Sequence, residues 1–149
     1  ASSVLSTGNS SRMFKKMVDD KKNSLQVGSF NYALEDYGIY ITYALPNNDT
    51  QLDTLLKDMD EEIVKLQTQL ISEKEFTKLQ NRFENDYVDN NNTMLGVAEN
   101  LADGYIFHKN NTNTEWDKIR KITRQDIQNV VKKYLNKNQR VVVYYLPKK

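Results

Sequence analysis

The chain reads as an α+β domain: a mostly antiparallel sheet, made of a hairpin plus a C-terminal strand, with several helices packed on one face. Three observations predict it. Tyr37, Ile39, Ile41, Tyr43 and Leu45 alternate with Gly38, Tyr40, Thr42 and Ala44, the period of two that marks a strand. Leu52, Leu56, Met59, Ile63, Leu66 and Leu70 are spaced 4, 3, 4, 3, 4, one stripe of an α-helix. Arg140 to Leu146, RVVVYYL, is apolar in both phases, as expected of a strand covered on both faces.

Taken in order, Val4 and Leu5 read as the last turn of a helix stopped at Gly8 or Asn9. Ser10 or Ser11 caps the next helix, which turns Met13, Phe14, Met17 and Val18 inward and Lys15 and Lys16 outward, ending near Lys21-Lys22. In the first strand Leu25 and Val27 set one phase, and Phe30, Tyr32 and Leu34 set the other. A bulge at Gly28-Ser29 would bring all five to the core and leave Gln26, Asn31, Tyr40 and Thr42 on the opposite, polar-aromatic face. Glu35-Asp36 makes the turn.

Pro46 breaks the second strand, and Asp49 or Thr50 caps the leucine-striped helix. Its acidic run Asp58, Asp60, Glu61, Glu62 lies off the stripe and reads as a solvated face rather than a metal site. Ser72 with Glu75 forms a capping box opening a helix with Phe76, Leu79, Phe83 and Tyr87 inward. After a break at Asn90 to Asn92, Met94, Leu95, Ala98, Leu101, Ala102 and Tyr105 resume helical spacing. Asn110 to Asn113 is a loop, and Thr114 starts a turn bearing Trp116 and Ile119. Thr123 with Asp126 is a second capping box, leading into Ile127, Val130, Val131, Tyr134 and Leu135.

The totals restrict the chemistry. A length of 149 residues, 38% hydrophobic and 28% charged, suits one domain over 1–149. A net charge of +1 gives no electrostatic reason to propose a nucleic-acid or anionic-membrane partner. Zero cysteines exclude disulfides, thiolate metal sites and a cysteine nucleophile. One histidine, His108, cannot supply a metal site that needs two imidazoles, and it reads as a helix-terminal side chain. The five glycines are scattered, so there is no phosphate loop, and no G-x-S-x-G elbow occurs. No catalytic residue and no metal ligand emerges from the residues themselves. The leucine stripe admits one further reading, a helical adaptor that would expose it; as part of a core, Leu56→Ala should cost about 2–5 kcal/mol.

Several segments together resemble the M16 (insulinase, pitrilysin and processing-peptidase-like) metallopeptidases, specifically their non-catalytic C-terminal domain. LSTGNSSRMFKKMVDDKKNSLQVGSF is similar to the family's glycine-rich segment, and ALEDYGIYITYALP to its following strand. ISEKEFTKLQNRFENDY and ITRQDIQNVVKKYLNKNQRVVVYYLP are similar to its later helices and last strand, so the likeness runs from Val4 to Pro147. The resemblance implies half of an M16-type domain that builds a peptide-binding chamber and packs against an active half. That active half holds zinc through an H-x-x-E-H motif and a downstream glutamate; the motif is absent here, so no cofactor is expected in this chain. The inactive half of such peptidases often contributes an Arg and, seven residues on, a Tyr to the substrate. Those positions fall on Asp19 and Gln26, with Asn31, Tyr40 and Thr42 as further chamber-facing residues. The alternative within the family is a scaffold subunit that only assembles. The resemblance also implies strands and a helix before the position of Ala1, hence a sheet with open edges that pair with another copy. A bacterial periplasm or cell envelope is the implied compartment.

Overall fold

The computed structural model describes residues 1–34, 36–48, 50–108 and 118–146. Its order is α1 (Ser2–Leu5), a π-helix (Phe14–Asp20), β1 (Ser24–Ala33), β2 (Gly38–Pro46), α2 (Leu52–Thr68), α3 (Glu73–Asn90), α4 (Met94–His108), α5 (Arg124–Tyr134) and a 3-10 turn (Lys137–Gln139). The protein is α+β, with a two-stranded antiparallel sheet β1-β2. It divides into two compact units, Ala1–Leu70 with Gln125–Lys149, and Ile71–Arg124.

In the first unit Val4, Leu5, Met13, Met17, Val27, Leu55, Leu66 and Val131 are buried. Gly8, at φ 82°, ends the α1 segment as expected of a glycine stop. Ser11 is not a cap: its hydroxyl is buried and has no hydrogen-bond partner among the described residues. The following helix is wider than expected, closing with Lys21 N–H to Lys16 C=O and Asn23 N–H to Met17 C=O. This wide register keeps Met13 and Met17 in the core, leaves Phe14 and Val18 half-buried, and turns Lys16 inward, while Lys15 stays exposed.

The hairpin corrects the expected bulge. The register slips between Ser24 and Gln26, at Leu25, and then runs unbroken from Gln26↔Leu45 to Ala33↔Gly38. With no bulge at Gly28-Ser29, residues opposite one another share a face all the way along. Val27 and Ser29 therefore face the helices, and Phe30, Tyr32 and the displaced Leu25 face outward. The Tyr43 ring lies over Gly28, where a Cβ would meet Tyr43 Cε1 at 2.4 Å and displace the ring end. Gly38 is less forgiving, since its Cβ would lie 2.7 Å from the Tyr32 carbonyl oxygen, a backbone atom that cannot swing aside. Glu35 lies outside the described residues, so the turn's composition there is not described.

The α2 stripe is rotated from the expected one. Leu55, Asp58, Glu62 and Leu66 are buried, Leu52, Leu56, Met59 and Ile63 are half-buried flanks, and Leu70 is exposed. Spacing alone locates an apolar stripe, and here charged partners from the π-helix draw the acidic side inward as well. Gln51 precedes the helix without a side-chain cap; of the two expected caps, Thr50 bonds the Asn47 carbonyl and Asp49 lies outside the described residues. Gln67 Nε2 donates to the Leu135 carbonyl at 2.8 Å, tying α2 to the end of α5.

In the second unit Ser72 caps α3 as expected, its Oγ accepting from the Glu75 N–H at 3.2 Å. Thr93 Oγ1 accepts from the Gly96 N–H at 3.0 Å and starts α4. Of α4's expected inward residues, Met94, Leu95, Leu101 and Tyr105 are exposed: the pattern identifies a helix but not what covers it. Trp116 and the 110–113 loop lie outside the described residues. Residues 140–146 join no sheet among the described residues, and their side chains are largely exposed rather than covered on both faces.

Candidate functional site

The hairpin has two chemically different faces. The inner face carries Val27, Ser29, Asn31 and Ala33 opposite Ala44, Thr42, Tyr40 and Gly38, and its base packs on α1 and the π-helix. A chain of three hydroxyls runs through it: Tyr40 Oη donates to Ser29 Oγ at 2.9 Å, and Ser29 Oγ pairs with Ser6 Oγ at 2.7 Å. Burial pushes the Tyr40 phenol up, against a smaller opposing effect of the Ser29 bond, so it stays neutral. The outer face carries Gln26, Gly28, Phe30 and Tyr32 opposite Leu45, Tyr43, Ile41 and Ile39. Among the described residues it holds no charged side chain. Its polar groups at the base are Gln26 and the Tyr43 hydroxyl, joined by a 3.1 Å bond from Gln26 Nε2.

The residues proposed from sequence are thus divided. Asn31, Tyr40 and Thr42 share the helix-side face, Asn31 exposed and the other two half-buried, whereas Gln26 stands on the opposite, apolar face. The division follows from the bulge lying at Leu25, upstream of Gln26, instead of between Gln26 and Asn31. Asp19 is exposed near the end of the π-helix.

A charged hub that sequence reasoning placed in solvent sets the geometry of this strip. Asp58 is 1% exposed, Oδ1 accepting from Lys21 Nζ at 2.5 Å and Oδ2 from Asn23 Nδ2 at 2.8 Å. Lys16 Nζ bonds Glu61 Oε2 at 2.6 Å and lies 3.6 Å from Asp58 and 3.4 Å from the buried Glu62. Burial pushes the Asp58 carboxyl up, but Lys21, Asn23 and Lys16 outweigh it and hold the group below the usual carboxylate range. Burial likewise lowers Lys16, and its bond to Glu61 with the Glu62, Glu61 and Asp58 charges more than restores it. Lys21 and Asn23 bracket Lys22, whose φ of 52° is left-handed. Two anchors on one carboxylate hold that bend, and β1 starts immediately after it. The i, i+4 spacing of Asp58 and Glu62 puts both carboxylates on one side of α2 with Leu55 and Leu66, but spacing does not say that this side is buried.

Among the described residues no group of three or more His, Cys, Asp or Glu is arranged to hold a metal ion. The family model of the M16 peptidase inactive domain matches residues 1–83, more than half of the chain. The chain belongs to the M16 peptidase inactive-domain family. The match spans α1, the π-helix, the hairpin, α2 and part of α3, so Asp19, Gln26 and the Asp58 hub all lie within it.

Solved structures agree on the fold. The inactive peptidase domain of a candidate zinc protease from Bordetella parapertussis superimposes with a TM-score of 0.85 at 17% identity, over 99% of this chain and 81% of that one. A protease from Helicobacter pylori gives 0.84 at 24% identity, over 93% of this chain but only 34% of its own, so this M16 inactive domain spans about a third of that protein's length. A chain of complex III2 from Candida albicans gives 0.66 at 18% identity, over 83% of this chain and 30% of that one. No curated protein matches the chain. As an M16 inactive domain, the chain is non-catalytic.

Proposed function

We propose that this chain is the non-catalytic half of an M16 zinc peptidase, walling a chamber that holds peptide and packing against an active half that carries the zinc. The observation that carries the reading is the outer hairpin face inside the matched region: a charge-free surface of Phe30, Tyr32, Ile39, Ile41 and Tyr43 with Gln26 at its base. Such a face accepts an extended peptide by apolar contact, and the Gln26 amide donates to or accepts from its backbone. Asp19 takes the other substrate-facing position. A carboxylate there accepts from a peptide N–H but cannot donate to a carbonyl oxygen, so this half supplies less transition-state stabilisation than one with Arg and Tyr. Self-association through open strand edges is a second kind of contact open to the chain.

A scaffold role is the second reading, favoured by Asp19 and Gln26, which replace the Arg and Tyr of a substrate-contacting half. The two readings separate on one experiment. Asp19→Arg with Gln26→Tyr, assembled with an M16 half bearing H-x-x-E-H, should raise chelator-sensitive cleavage of an unfolded peptide about tenfold or more over the unsubstituted assembly. Assembly without any chelator-sensitive cleavage, with or without the substitutions, would leave the scaffold.

A further inference from the structure

The bend between the π-helix and β1 is held from several directions at once. Lys22 carries the left-handed φ of 52° without being a glycine, so the bend persists only where its neighbours hold it. On one side of it Lys21 Nζ reaches Asp58 Oδ1 at 2.5 Å, and on the other Asn23 Nδ2 reaches Asp58 Oδ2 at 2.8 Å. Asn47 closes the bend from the end of β2, Nδ2 donating to the Lys22 carbonyl at 2.8 Å and N–H to the Asn23 carbonyl at 3.0 Å. Further back, Lys16 Nζ reaches the Asp58 backbone carbonyl at 3.3 Å. Asp19 therefore lies between two lysines bound to the same point of α2. Gln26 follows just past Asn23, as the first residue of the unbroken hairpin ladder.

We propose that Asp58 is a positioning residue for the peptide-holding strip: through Lys21 and Asn23 it fixes the Lys22 bend, and so the placement of Asp19 and Gln26 toward a bound peptide. The proposal rests on the reading of this chain as a peptide-holding half. A buried carboxylate with a half-exposed lysine on it adds little net stability over an apolar pair of the same shape, because desolvation offsets the attraction. What it adds is direction. Two oxygens with two donors on either side of Lys22 admit one arrangement of the bend, where an apolar contact would admit several. The strand also needs this hold, because the register slips at Leu25 and the regular ladder begins only at Gln26. The Asn23 ties close that end of β1. Without Asp58 the strand would fray from the slip, at the residue whose amide meets the peptide.

The test compares Asp58→Asn with Leu66→Ala, which loosens the same α2 helix without touching the bend, each assembled with an M16 half bearing H-x-x-E-H. Gln26 grips peptide alike before and during reaction, so a misplaced strip raises KM and spares kcat. Asp58→Asn should raise KM for chelator-sensitive cleavage of an unfolded peptide about fivefold, the loss of one well-placed hydrogen bond, with kcat held within about twofold. Leu66→Ala should leave both constants unchanged. Amide exchange reads the geometry. In Asp58→Asn the Lys21, Asn23 and Asn47 N–H groups that close the bend should exchange faster relative to the hairpin ladder, and Leu66→Ala should shift the two sets together. Lys21→Arg, which keeps charge and reach, should keep the parent KM, and Lys21→Met should raise it; this pair decides if Asp58→Asn does not fold. Unchanged exchange at the bend, an unchanged KM, or a KM that rises equally in Leu66→Ala would overturn the positioning role and leave the chamber reading in place. An unsubstituted assembly without chelator-sensitive cleavage would overturn the chamber reading and the part of Asp58 in it, with exchange still deciding what holds the bend.

Discussion

Asp58 joins three residues that sequence spacing assigned to solvent or left unremarked: Lys16, Lys21 and Asn23. Its carboxyl sits below its unfolded value, so its contribution to stability is full above the ordinary carboxylate pKa of about 4 and is lost as pH falls through the lower folded value. Asp60, held down by Arg140 and Lys137 against its partial burial, acts with the same sign. Asp58→Asn keeps the shape and removes the charge. It should cost ~2–3 kcal/mol near neutral pH, less than a fully buried pair because the half-exposed Lys21 ammonium returns to water. Thermal melts from pH 7 down through the acid range should show a shallower loss for Asp58→Asn than for the parent chain; parallel curves would remove Asp58 from the acid response. What made Asp58 illegible is that a charge at helical spacing is ordinarily solvated, and only a partner from a distant segment reverses that. The same applies to Lys16, which the unexpected π register turns inward.

At the scale of elements, periodicity gave both hairpin strands and the helices among the described residues, and it misplaced the faces by one step. The hairpin's second strand was legible because every residue from Gly38 to Leu45 alternates. The first was not, because a bulge anywhere between Ser24 and Phe30 inverts the phase of every later strand residue, and Gly28 is the more suggestive position. Gly28 instead lies beneath the Tyr43 ring, a cross-strand contact visible only once the register is known. On α2 the fully buried Leu66 and the half-buried Leu56 make a direct comparison. Leu66→Ala should cost about 2–5 kcal/mol and Leu56→Ala clearly less, measured by urea unfolding at constant slope. Equal costs would restore the stripe read from spacing, and negligible costs at both would favour an adaptor helix.

For the molecule as a whole, family membership was legible from ordered segments, none of them diagnostic alone, because a fold constrains the succession of helix, hairpin and helix more tightly than any single residue. The open outer face of the hairpin was not legible, since Phe30, Tyr32 and Ile39 look like core in any sequence-based reading yet stand exposed. The proposed division of labour gives wall and peptide contact to this half, and the zinc and the bond-breaking to its partner. The most direct test is cleavage of a fluorogenic unfolded peptide by this chain alone, by an M16 half bearing H-x-x-E-H alone, and by the two together, each with and without chelator. Cleavage should be absent with this chain alone, greatest in the mixture, and abolished there by chelator. Chelator-sensitive cleavage by this chain alone, or no gain on mixing, would contradict the claim.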